Sequence, residues 1–373
     1  MKALQRIAMA TAAAGAVALA LVPAAQAGAT THSSFIGRFH KIRTIASTVP
    51  HNGDVNPYGI VVIRHSHGRL RAGHILISNF NNKANLQGTG TTLVEISPRG
   101  HRTLFAKINA STLPGPCPGG VGLTTALAVL RGGWVVVGST PSRNGMASTA
   151  KAGCLIVLNN RGHVVETIAG HGINGPWDAT SLNEGNQAAL FVTNVLNGTV
   201  AAKGRGVHRG TVLRLQLRVF RNMPPQLLST TKIGSGFPQQ TNAAAFILGA
   251  TGVGLSRTGA LYVASTQNNQ IRVIRHAVTR SGTAGRGMLL TAGGKLNNPL
   301  GLAVSPRGSV LTVNGGNGLI VETTPGGTQI ASRLLDNSGS PKGAGALFGL
   351  AVRPGGRGVY YVDDAVNTLR LLH

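Results

Sequence analysis

Short apolar runs in this chain end on side chains that carry an oxygen: Asn79, Ser139, Asn194, Ser265, Asn314 and Asp363. Of these, Asn194, Asn314 and Asp363, together with Asp178, supply the amide and carboxylate oxygens that a hard divalent cation takes. Asp178 and Asp363, the two carboxylates of that set, are the metal candidates. Tyr58, Trp177 and Phe348 stand at the starts of neighbouring apolar runs. The set Tyr58, Asn79, Trp177, Asp178, Asn194, Asn314, Phe348 and Asp363 therefore describes an aromatic floor with an amide rim, suited to a small molecule, a glycan or a protein segment. No Glu or His occupies the aligned rim positions, so binding without a required cofactor is the main expectation. A metal-dependent hydrolase or lyase in the same pocket is the alternative, and a divalent cation is the cofactor it would use. No catalytic residue stands out. A Gly-x-Ser-x-Gly elbow is absent, and Gly234-Ser235-Gly236 reads as a flexible loop. The Gly-Gly pairs at 132, 293 and 326 lack a following P-loop Lys-Ser/Thr.

What positions these residues is a repeat. The clearest copy runs Gly252-Val253-Gly254-Leu255, a Gly-containing turn, Leu261-Tyr262-Val263-Ala264-Ser265, and Gln270-Ile271-Arg272-Val273-Ile274. Further starts fall at Pro57-Tyr58-Gly59, Thr124-Thr125-Ala126, Pro176-Trp177-Asp178, Pro299-Leu300-Gly301 and Leu347-Phe348-Gly349. Units of about fifty residues built from several short β-rich runs are the signature of a β-propeller. The expected fold is all-β, a single six-bladed propeller over residues 28–373 with blades starting near 56, 123, 175, 249, 298 and 346. The last unit ends after a third strand, so the alternating segment Phe39–Thr48 is expected to supply its fourth strand and close the ring.

The stretch Leu261 to Ile271 resembles the NHL repeat, and Asn56-Pro57-Tyr58-Gly59, Leu76 to Asn82 and Gly175-Pro176-Trp177-Asp178 resemble exported bacterial NHL-repeat proteins. The resemblance covers the whole chain after its first 27 residues. It implies a six-bladed propeller and, through related propellers, lactonases of the gluconolactonase type and streptogramin lyases. NHL repeats carry Asp where this chain has Asn79, Ser139, Asn194, Ser265 and Asn314; only Asp363 keeps it.

Residues 1–27 read as a secretory signal: Lys2 and Arg6, an Ala/Val/Leu run, then Ala25-Gln26-Ala27. Export to a periplasmic or extracellular site, with no later membrane-spanning segment, allows Cys117 and Cys154 to pair. The 35 Lys and Arg against 9 Asp and Glu give a net charge of +26 over 373 residues. Arg99, Arg131, Arg161, Arg257, Arg307 and Arg353 fall in turns expected on one face of the ring, opposite the pocket. That face would attract an anionic envelope surface. Nucleic acid is not expected as the physiological partner of an exported chain with 4% aromatic residues. With so few carboxylates, stability is expected to depend weakly on their titration.

Overall fold

A computed structural model describes residues 33–373. The signal expected at 1–27 lies outside the described residues. Among those described, no helix is long and apolar enough to cross a membrane.

Strand β1 (Ile42–Ser47) is followed by β2 (Val55–Val62), β3 (Ile75–Asn81), β4 (Thr92–Ile96) and β5 (Arg102–Lys107). Next come β6 (Leu123–Val129), β7 (Val135–Ser139), β8 (Leu155–Leu158) and β9 (Val164–Ile168), then β10 (Pro176–Glu184), β11 (Gln187–Asn194), β12 (Val207–Arg218), β13 (Gln226–Asn242) and β14 (Phe246–Leu248). The chain continues with β15 (Ala250–Leu255), β16 (Leu261–Ser265), β17 (Gln270–Ile274), β18 (Met288–Ala292), β19 (Pro299–Val304), β20 (Val310–Asn314), β21 (Leu319–Thr323) and β22 (Gln329–Leu334). It ends with β23 (Leu347–Val352), β24 (Val359–Asp363) and β25 (Thr368–Leu372).

These strands form an all-β propeller. Four blades are separate four-stranded sheets: β2 to β5, β15 to β18, β19 to β22, and β23 to β25 with β1 added at the outer edge. The expectation of six separate blades is corrected here. The strands from β6 to β14 form one nine-stranded sheet, because the inner strands β6 and β10 approach closely enough to pair in parallel at Thr125 and Asp178. In the last blade, β1 runs antiparallel to β25 from the pair Ile42–Leu372 to Ser47–Thr368.

The recurrent third residue of the strand starts has a steric cause. A Cβ on Gly301 would overlap the Phe348 carbonyl of the next inner strand, and one on Gly349 would overlap the Tyr58 carbonyl of the first blade. Only glycine lets successive inner strands approach this closely. Hydroxyl groups cross several of these gaps: Ser78 Oγ donates to Thr124 O at 2.7 Å, Thr193 Oγ1 to Thr251 O at 2.9 Å, and Thr266 Oγ1 to Pro299 O at 2.7 Å. The second strands sit between neighbouring blades, so β3, β7, β16, β20 and β24 are buried at every position.

Two ties hold the connections. Glu322, fully buried on β21, accepts Ser34 Oγ at 2.7 Å and the amides of Phe35 and Ile36 at 2.9 Å each, pinning the segment that leads into β1. Cys117, before β6, is disulfide-bonded to Cys154, which immediately precedes β8. A bridge across 37 residues contributes about 3–4 kcal/mol by restricting the unfolded chain. The Cys117→Ser, Cys154→Ser variant is expected to lose that amount in urea unfolding, with a steeper slope because the unfolded chain expands; a loss under about 1 kcal/mol contradicts this account.

Candidate functional site

Aromatic side chains from separate blades converge where the inner strands begin. Tyr58 of β2 and Phe348 of β23 lie with ring centres 4.4 Å apart, and Tyr58 meets the edge of Trp177 of β10 at 5.6 Å. Phe80 of β3 packs against both Tyr58 and Trp177, and Trp177 Nε1 donates to the Tyr58 hydroxyl at 3.0 Å. A fifth ring, Phe246, comes from the β13–β14 hairpin. This cluster fills the mouth of the ring, and a recess of about 140 Å³ remains above it. Tyr58, Phe80 and Phe348 form its floor, with Asn56, Asn81, Asn85, Gln87 and Asp364 among the wall residues.

The electrostatics of this region come from burial of acids. Burial, and secondarily the neighbouring Asp363 charge, pushes the half-buried Asp364 carboxyl up to about 7. Burial drives the Tyr58 phenol well above its ordinary value, and the charges of Asp178 and Asp364 add to that. Asp178 is raised to about 8 by burial, although its carboxylate accepts the amides of Val253 at 2.9 Å and Ala179 at 2.8 Å. Asn56 and Asn81, 7% and 1% exposed, each have an Oδ1 with no hydrogen-bond partner. Such buried acceptors call for a donor from a ligand or water.

Of the residues singled out from the sequence, Tyr58 and Phe348 line the recess, and Trp177 lies beneath it, 1% exposed. Asn79, Asn194 and Asn314 are turned to another use. Asn79 Nδ2 donates to Thr48 O at 3.2 Å, Asn194 Oδ1 accepts the Asn174 amide at 2.8 Å, and Asn314 Nδ2 donates to Lys295 O at 2.7 Å. Each partner lies in the segment arriving from the preceding blade. The end of the second strand thus fastens the incoming connection, and the side chain is spent on backbone. Asp363 makes an ion pair with Arg370 at 3.1 Å, and burial pushes its carboxyl up to about 6 against the pull of that guanidinium. Phe80 and Asn81 end β3, and Asn85 and Gln87 come from the long connection after it, whose length marks it in the sequence. The hairpin residues Ala244, Ala245 and Phe246 carry no such mark.

A divalent cation does not fit the candidate donors. Both oxygens of Asp178 are taken by backbone amides, and Asp363 is paired with Arg370. Among the described residues, no group of three or more His, Cys, Asp or Glu is placed to hold a metal.

On the opposite side, Arg99, Arg131, Arg161, Arg257, Arg307 and Arg353 occupy turns between first and second or third and fourth strands, and all but the half-buried Arg353 are exposed. Several arginines clamp neighbouring segments through carbonyls: Arg131 to Gly185 O at 2.7 Å, Arg307 to Ser33 O at 3.1 Å, and the 8%-exposed Arg214 to Ala277 O at 3.0 Å. Among the described residues, Arg370 alone of the lysines and arginines forms an ion pair with a carboxylate. The acids are withdrawn: Asp54, Glu95, Glu322, Asp336 and Asp363 are buried, and Glu184 is the one exposed acid of the described chain.

No family model matches the chain, and no curated protein matches it. Solved structures do. A gluconolactonase from Xanthomonas campestris is 12% identical with a TM-score of 0.53, over 89% of this chain and 88% of that one. A putative gluconolactonase is 14% identical at 0.54, over 89% and 91%. The calcium-binding protein regucalcin from Agrobacterium tumefaciens is 12% identical at 0.50, over 88% and 93%. At these identities the likeness establishes the β-propeller fold.

Proposed function

We propose that this protein is an exported propeller of NHL type that binds a small polyhydroxylated molecule or glycan in the recess above the aromatic cluster. Counting the nine-stranded sheet as two blades joined at Thr125 and Asp178 gives the ring six. The observation that carries the reading is the recess itself. Tyr58, Phe80 and Phe348 line its floor, and Asn56, Asn81, Asn85 and Asp364 line its walls. Apolar stacking against a sugar face, combined with a few placed hydrogen-bonding groups, is the chemistry such a lining offers. The buried acceptors of Asn56 and Asn81 want donors, which hydroxyl groups provide. A glycan array followed by calorimetry on its best ligand tests this. Asn56→Ala and Asp364→Asn should each weaken binding about tenfold, the loss of roughly one hydrogen bond to a charged or buried group. Unchanged affinity in both variants ends the proposal.

The names of the structural neighbours favour a second reading over a passive scaffold: hydrolysis or elimination on a lactone or ester in the same recess. Asp364 is the acid in the lining that could exchange a proton near neutral pH, which is where a general acid or base works best. Lactone hydrolysis by purified protein, abolished in Asp364→Asn, supports this reading; activity that survives the substitution removes Asp364 from it.

The arginine-bearing turns are proposed to dock on an anionic envelope surface. With Glu184 the one exposed acid of the described chain, little opposes that attraction. Sedimentation with anionic vesicles should fall steeply with salt, since exposed charges are screened over about 8–10 Å at physiological ionic strength. Arg99→Glu with Arg257→Glu should weaken it further. Export is consistent with the Cys117–Cys154 disulfide.

A further inference from the structure

The fifth ring of the aromatic cluster differs from the others in origin. Tyr58, Phe80, Trp177 and Phe348 project from strands β2, β3, β10 and β23, whereas Phe246 is delivered by a hairpin that arches over from between blades. Its ring lies nearly parallel to Trp177, at 15° with centres 6.2 Å apart, and edge-on to Phe80 at 5.3 Å. It is 1% exposed. Geometrically it sits where a guest of the other rings would sit.

The hairpin that carries it is held by the burial of Phe246 and Ile247, 1% and 0% exposed, and by few hydrogen bonds at its tip. Three residue pairs join its arms, Gln240–Leu248, Thr241–Ile247 and Asn242–Phe246. The turn is shaped by Asn242 Oδ1 accepting the amides of Ala244 and Ala245, and Ala243 and Ala244 are exposed. One side-chain bond ties its tip to the first blade, from Gln87 Nε2 to Ala243 O at 3.1 Å. The backbone at Phe246 has a φ of 59°, in the left-handed region. A bulky aromatic residue there is strained, and strain of this kind persists when surrounding packing holds it. Withdrawal of the ring would release the strain and bare the faces of Trp177 and Phe80. Gly236, with a φ of 78°, and Gly249 lie on either side of the strand pair that would have to swing.

We infer that the Asn242–Leu248 hairpin is an intramolecular lid, and that Phe246 occupies a binding site for a planar, uncharged aromatic ring walled by Phe80 and Trp177. This deepens the reading of the recess as a ligand site, because the same floor then has a second, lower level. The walls offer ring carbon and no free polar group, because the indole N–H of Trp177 is already given to the Tyr58 hydroxyl. A flat apolar guest matches them; a charged one would have to be stripped of water without a partner. In the closed state the guest competes with a covalently tethered ring, so its affinity is reduced by the fraction of protein whose lid is open.

Indole is the probe, titrated calorimetrically into the whole folded protein. Phe246→Ala should bind it at least tenfold more tightly than the wild type, and Gln87→Ala, which loosens the lid and leaves the ring in place, should bind it severalfold more tightly. If Phe246→Ala does not melt cooperatively, Gln87→Ala decides alone. Affinity in the folded variants within twofold of the wild type overturns the proposal. Asp364→Asn is the control that separates the two levels. It should weaken glycan binding and leave indole unchanged, so loss of the recess reading and loss of the lid are seen in different titrations.

Discussion

The melting temperature should fall as pH rises from 5 to 8, at constant ionic strength. Asp178, Asp364 and Asp363 have carboxyls raised to about 8, 7 and 6 in the folded protein, chiefly by burial. In the unfolded chain an aspartate titrates near 3.9. Below about pH 4 both states hold these protons and the groups make no difference to stability. Above that, the unfolded state releases them first and is favoured; the penalty on the native state grows until the pH passes each folded value and is constant beyond it. Each group contributes a slope of up to about 1.4 kcal/mol per pH unit within its window, so the three together amount to several kcal/mol, an order of magnitude. This reverses the expectation of weak dependence drawn from there being only 9 acidic residues. The number of carboxylates matters less than where they sit. Charge repulsion in a cationic chain works the other way on acidification, so the decisive measurement is a difference. Asp178→Asn keeps the side-chain shape, removes the widest window, and should flatten the slope most strongly above pH 6. A wild type whose stability rises with pH, and an Asp178→Asn variant with an unaltered slope, would both contradict the assignment.

The second large effect is at Arg370. Its guanidinium on β25 lies 3.1 Å from Asp363 and 3.8 Å from Asp336, side chains 0% and 8% exposed. Arg370→Met leaves two buried acids without a cation, and breaking a buried pair from one side costs about 3–5 kcal/mol. Because β25 carries β1, the seam between the last blade and the N-terminal strand should become the first site of proteolysis. The loss should be smaller at pH 5 than at pH 8, since Asp363, raised to about 6, is already largely protonated at pH 5 and the pair is then weak. Chemical unfolding at the two pH values measures both the size and the direction. A penalty under about 1 kcal/mol, or one that is larger at pH 5, would show that the ion pair is not what holds this seam.

The propeller was legible because its repeat is enforced by sterics at short range. Gly301 and Gly349 recur at the third position of their strands because any Cβ there strikes the next inner strand, and such a constraint survives wherever the fold survives. The strand-end positions Asn79, Asn194 and Asn314 were legible as a pattern but not in their use. Each bonds the segment arriving from the previous blade, a partner the local sequence does not specify. The segment around Gly234-Ser235-Gly236 reads as a loop, yet it lies within the long strand β13, where shifts of register against β12 absorb the extra residues. Glycine in a strand marks a bulge as readily as a loop.

By itself, the sequence determined the starts of the inner strands and the ends of the second strands, the pairing partners available to Cys117 and Cys154, and the large excess of basic residues in turns. These follow from local conformational preference, close-approach glycines and composition, which need no knowledge of distant contacts. Tertiary structure alone decided which side chains meet. It brought Tyr58, Phe80, Trp177, Phe246 and Phe348 into one cluster and gave Asp178 to the Val253 amide. It also withdrew most of the acids from solvent while leaving the arginines of the turns exposed. The physical reason is that a ring of blades joins residues far apart in the chain. Packing, desolvation and the choice of hydrogen-bond partner at its mouth are settled only when the ring closes.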